Sequence, residues 1–168
     1  NIVLGTESSG ATIELGTSGS LGEGTISFEH ASSELDVDVD GSKILSNKLD
    51  GTGIVTVAGD GIDDTFAFAS EQSTDFAGSL RLTNVGYDFR TSGSDVLDNV
   101  ALTVTGGNLT VNGTEDVVDR DIRGLSLENT LVDFGTIGAG SGAIDLHGNA
   151  FAVGGTSEST TICLNSNF

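Results

Sequence analysis

Fourteen short runs in this chain alternate apolar and polar residues, and little else in it has a period. ATIEL (11–15), GTISF (24–28), ELDVDV (34–39), GIVTV (53–57), TFAFA (65–69), SLRLT (79–83) and ALTVT (101–105) set the pattern. LSLE (125–128), LVDF (131–134), AIDL (143–146), AFAV (150–153) and TICL (161–164) carry it to the end. A two-residue period sends alternate side chains to opposite faces of a strand. Between the runs lie Gly, Asn, Asp and Ser, which tolerate sharp turns and positive φ. Runs of helix-forming residues are scarce. The class is therefore all-β.

Two all-β architectures accommodate so many short strands: a sandwich and a solenoid. Spacing favours the second. Taking Ile13, Leu35, Ile54, Leu80, Leu102, Leu125, Ile144 and Ile162 as one strand per coil gives gaps of 18 to 26 residues. A parallel β-helix coil of three short strands needs about 20 residues. That reading predicts about eight coils, each with three short strands, stacked ~4.8 Å apart. The chain has no proline. This fits a fold in which nearly every strand pairs on both edges, because a missing N–H would break a ladder. Asn-Gly, the strongest hairpin turn, occurs only at Asn112–Gly113. None of this excludes a sandwich.

Charge narrows the partners. With 25 acidic and 6 basic residues the formal net charge is −19. A nucleic-acid partner requires a basic stripe that displaces counterions, and none is present. Anionic membrane surfaces are disfavoured on the same ground. Regular alternation argues against disorder despite the high charge. A lone cysteine, Cys163, forms no internal disulfide. No apolar run approaches the ~20 residues of a helical membrane span. The chain starts at Asn1 with no apolar leader after it, so we read residues 1–168 as one segment of a longer or processed protein.

Four motifs follow one another along the chain. They are LDGTGIVTV (49–57), FAGSLRLTNVGYDF (76–89), LDNVALTV (97–104) and IRGLSLENTLVDFG (122–135). This series resembles the passenger domains of AIDA-like and pertactin-like bacterial autotransporters, across roughly residues 11 to 155. The resemblance implies a right-handed parallel β-helix displayed at the bacterial cell surface and exported by a C-terminal translocator barrel absent from this chain. It implies adhesion, self-association or biofilm formation. The partners would be host-surface or extracellular-matrix molecules, or the same protein on a neighbouring cell. Any membrane link would run only through that missing barrel. It transfers no functional residue position by position.

The residues themselves offer few chemical sites. DVDVDG (36–41) begins like a calcium loop, with oxygens at positions 1, 3 and 5 and glycine at 6. Yet Lys43 stands where an apolar anchor belongs, and Asn47 replaces the closing carboxylate. A strand with Leu35, Val37 and Val39 inward, and Asp36, Asp38 and Asp40 outward, explains the same letters better. That acidic row is the expected partner-binding face, and three carboxylates in a row also discourage pairing with foreign strands. GDGIDD (59–64) hints at a calcium repeat, but one copy is too few, and a polar corner loop is the plainer reading.

Enzyme signatures are weak. Ser141 in GAGSGA has Ala139 and Ala143 where a nucleophile elbow needs glycine two residues to either side. His30 and His147 fall in no metal-ligand spacing. With 25 acids, a carboxylate pair at glycosidase spacing arises by chance. Arg81, Arg90, Arg120 and Arg123 form no acid–arginine constellation legible in sequence. Arg120 and Arg123 read as part of a charged loop. The expectation is a non-enzymatic adhesin segment without metal or cofactor. A β-helix enzyme acting on acidic glycans, or a purely structural stalk, are its rivals.

Overall fold

The computed structural model describes residues 1–61, 63–69, 75–88, 99–110, 124–128 and 130, and, as strand backbone, 131–137, 151–154 and 161–166. These residues form strands, turns and bends, with no helix among them. Strands β1 (Ile2–Leu4) and β2 (Thr12–Leu15) come first. β3 (Gly24–Phe28), β4 (Glu34–Val39) and β5 (Ser42–Leu45) follow, then β6 (Asn47–Gly51), β7 (Ile54–Gly59) and β8 (Thr65–Phe68). From there strands come in pairs: β9 (Ser79–Thr83) with β10 (Gly86–Asp88), and β11 (Ala101–Thr105) with β12 (Asn108–Thr110). The last four are β13 (Gly124–Glu128), β14 (Leu131–Ile137), β15 (Phe151–Gly154) and β16 (Thr161–Ser166).

Consecutive strands do not pair. Each belongs to a different sheet, and each pairs in parallel with the strand one coil away. The orders are β1-β3-β6, β16-β14-β12-β10-β8-β5 and β15-β13-β11-β9-β7-β4-β2. Every strand-to-strand ladder among the described residues is parallel. This is a parallel β-solenoid. The sandwich is excluded, because it would need antiparallel hairpins between neighbouring runs.

The stacking differs in detail from the expected one. Among the described residues the longest stack holds seven strands, not eight. Its register runs Ile13–Leu35–Val55–Leu80–Leu102–Leu125–Phe151. Val55, not Ile54, lies in register with Leu35, because Ile54 points outward from the same strand. Ile162 is not in this stack at all; it pairs with Val132 in the six-stranded sheet. Ile144 lies outside the described residues. Three strands per coil also holds only locally. β3–β4–β5 and β6–β7–β8 each place a strand in all three sheets. In the next coil the first face shrinks to a single bridge, Gly51 to Phe76.

Two inward rows on the seven-stranded sheet make nearly half of the core among the described residues. Leu35, Val55, Leu80, Leu102 and Leu125 form one; Leu15, Val37, Val57, Leu82, Val104 and Leu127 form the other, all at most 6% exposed. The six-stranded sheet contributes an aromatic group. Phe66 meets Phe68 edge-on at 5.0 Å between ring centroids, and Tyr87 lies 6.4 Å from Phe66. The third face adds Phe28 and Phe76, 5.3 Å apart.

Corners carry the polar exceptions. Ser33, fully buried, donates from Oγ to Leu4 O at 2.9 Å, one coil back. Thr130, also fully buried, donates from Oγ1 to Val104 O at 2.9 Å. Asp64, 8% exposed, reaches across to Gly41. Buried polar groups of this kind are tolerated because they are hydrogen-bonded. Each ties a corner to the coil before it.

Candidate functional site

The outer face of β4 is the candidate. Alternation puts Leu35, Val37 and Val39 in the core, while Asp38 and Asp40 are exposed and Asp36 is half-buried. The strand reading of DVDVDG therefore holds in the structure. Parallel register then adds what one strand cannot show. Glu14 of β2 lies beside Asp36, and Thr56 of β7 lies on its other side. Glu34 is two residues away on the same face as Asp36. Thr56 Oγ1 donates to Glu34 Oε1 at 2.6 Å, which orients that carboxylate along the sheet. Beyond Thr56 the same outward row continues to Arg81 and Thr103.

Glu14, Asp36, Asp38, Thr56, Val37 and Ala58 enclose an open depression of about 270 Å³. It is a dish on a sheet face, not a cleft. Asp40 takes no part in it. It lies past the end of β4, at the corner before β5. The structure thus brings Asp36 and Asp38 together with Glu14 and Glu34, and leaves Asp40 apart. Reading one strand at a time misses Glu14, which arrives from the preceding coil.

Crowding changes the chemistry of Asp36. Its carboxyl is held above the ordinary 3.8, first by partial burial, then by the negative charges of Glu34 and Glu14, a side-chain hydrogen bond with Glu34, and Asp38. The folded state therefore binds a proton at Asp36 more readily than the unfolded chain does. The resulting penalty is absent below the unfolded value and complete above the raised folded value, so stability falls as pH rises between the two. Replacing Asp36 by Asn should raise the melting temperature at pH 7. The gain should shrink as the pH is lowered toward 3.8. A melting series across that window checks it; an equal gain at every pH would assign the effect to something other than the charge.

The second acidic motif has another role. Asp60 and Asp63 are exposed, whereas Asp64 turns inward. Its Oδ1 accepts from Gly41 N at 2.6 Å, and its Oδ2 accepts from Asp60 N at 2.7 Å and Gly61 N at 3.3 Å. These amides, Gly41 foremost, hold its carboxyl below the ordinary range. Both oxygens are engaged with backbone, so the motif is the corner loop of its plainer reading. Among the described residues, no three His, Cys, Asp or Glu side chains converge as a metal-ligand set. His30 sits in a turn, where its Nδ1 is 2.8 Å from Ser32 Oγ and accepts from Ser32 N at 3.1 Å. Arg81 is exposed on β9. Arg90, Arg120, Arg123, Ser141, His147 and the side chain of Cys163 lie outside the described residues.

This arrangement presents clustered acceptors on an open surface. It suits contact with cationic or hydroxyl-bearing groups and offers no enclosure for a reacting molecule. Comparison with family models, with curated proteins and with solved structures returned no match.

Proposed function

We propose that this chain is a segment of a surface-displayed bacterial adhesin of the autotransporter-passenger kind, acting by contact rather than catalysis. One observation carries the reading. The acids gather on the open outer face of two neighbouring coils, where Glu14 lies beside Asp36, and Thr56 of the next coil continues the row. In this reading the solenoid winds right-handed, the sense that parallel β-strand crossovers overwhelmingly adopt. The protein is exported to the cell surface. Its partners are host-surface or matrix molecules, or the same protein on a neighbouring cell. Contacts on adjacent coils are individually weak and gain strength by engaging together.

Like-charged faces repel, so contact between two copies through this face requires screening or protonation. Beads coated with the protein should clump more readily as salt is raised or pH is lowered. The variant carrying Asp36→Asn, Asp38→Asn and Asp40→Asn should lose most of that pH dependence while keeping its β-sheet spectrum. Clumping that is identical in the triple variant removes this face from the account. Steady release of products from acidic polysaccharides by the purified chain would replace the adhesin reading with an enzymatic one.

A further inference from the structure

β5 is the outermost strand of the six-stranded sheet and, among the described residues, pairs only with β8. In a parallel pair, each residue directs its N–H and C=O to the same side. Gly41 O accepts from Thr65 N, and Leu45 O accepts from Ala69 N. By alternation, the backbone groups of Ser42 and Ile44 face away from β8. An edge of this kind is a template for strand addition. Ile44 makes it more so, since its side chain is 62% exposed.

Residues 16–22 run past this edge without forming a strand. Gly19 N closes a turn on Gly16 O, and Gly22 has a φ of +69°. One side chain ties the segment to β5. Lys43 occupies an inward position, in register with Phe66, and that row continues through Tyr87 and Leu109. All three of those residues are buried at 2% exposure or less. Lys43 therefore ends an otherwise apolar row. Its ammonium emerges at the edge and donates to Gly16 O at 2.7 Å and Thr17 O at 2.9 Å. An open depression of about 230 Å³ remains between the two segments, with Leu15, Leu21 and Leu45 among its walls.

An inward charge on an edge strand is a known device against edge-to-edge pairing. A strand arriving on β5 would displace residues 16–22. It would then leave the ammonium without its carbonyls on top of Phe66, and buried charges need such partners. We propose that residues 16–22 are a strap, latched by Lys43, which occupies the β5 edge and prevents it from pairing with the β5 edge of a second copy. A two-fold contact of that kind is self-complementary, so release of the strap leads to a dimer.

The test compares Lys43→Met, which keeps the stem and removes the charge, with Lys43→Arg, which keeps the charge. Light scattering on the full chain should give Lys43→Met a molar mass about twice that of wild type. Lys43→Arg should match wild type. Adding Ile44→Lys to Lys43→Met should restore the wild-type mass. A wild-type mass for Lys43→Met, or a mass increase that Ile44→Lys leaves in place, overturns the proposal. Hydrogen exchange on the wild-type protein needs no variant. The amides of Ser42 and Ile44 should exchange at least about tenfold faster than those of Lys43 and Leu45. Equal protection of the four would mean that the edge is already paired, and would also overturn the proposal.

Discussion

Replacing Phe66 by Ala should remove about 3–5 kcal/mol of stability, the range for deleting a buried aromatic side chain. Phe66 is 2% exposed and has Phe68 and Tyr87 as aromatic neighbours. The position is unfavourable for collapse into the void. Strands above and below are fixed by ladder spacing, at about 4.8 Å, so neither can move inward without breaking hydrogen bonds. Lys43, in register with Phe66, adds a second cost. Its stem packs along the row, and shortening Phe66 exposes that stem to an empty space rather than to another side chain. Urea unfolding of the variant beside Phe66→Leu checks both claims. Phe66→Leu should lose markedly less. A loss below about 1 kcal/mol for Phe66→Ala would mean that the aromatic group is not close-packed.

The second large effect comes from backbone. Gly51→Ala should cost about 2–5 kcal/mol, from left-handed strain and from overpacking. Gly51 has a φ of +91°. It lies in register with Phe28 and bridges to Phe76, and its own carbonyl accepts from Ala77 N at 2.9 Å. A Cβ there would collide with the carbonyl oxygen of Phe28, a backbone atom held in its own ladder. The strand cannot shift without separating the Phe28 and Phe76 rings. Gly61→Ala is the control. An added Cβ at Gly61 meets nothing within 4 Å, and the substitution should change stability little. Thermal melts of the two variants side by side decide it. Similar melting temperatures would show that the first face does not depend on its glycine.

Much of the fold was legible because the signal is local. Alternation in ELDVDV marks Leu35, Val37 and Val39 as inward from the strand alone. Spacing favoured the solenoid without excluding a sandwich, and partner residues in the main stack do lie 20 to 26 residues apart. Register did not follow. Ile54 and Val55 are both β-branched and adjacent, and only the neighbouring strands decide which one faces in. Ile162 failed similarly, because no local feature tells which of three sheets a run belongs to.

The candidate site shows the same boundary. Asp36 and Asp38 were visible as alternate residues. Glu14, 22 residues earlier, joins them only once β2 is laid beside β4. In the sequence, Lys43 stands out only as a misfit for a calcium loop. Its actual position, inward at the end of an apolar row, depends on which strand it tops. Asp64 looked interchangeable with Asp60 and Asp63, and the corner geometry singles it out.

The hydrogen bonds that Ser33 and Thr130 donate, and those that Asp64 accepts, bear on how this chain avoids misfolding. Val and Leu are nearly interchangeable in the stacked rows, so slipping a coil by two residues would still hide every greasy side chain. Hydrophobic burial alone barely distinguishes the native alignment from its shifted copies. A hydroxyl or carboxylate that finds its partner in only one alignment does distinguish them, since after a slip it is left dry and alone. A few such contacts, one coil to the next, act as the sprocket teeth of an otherwise smooth cylinder.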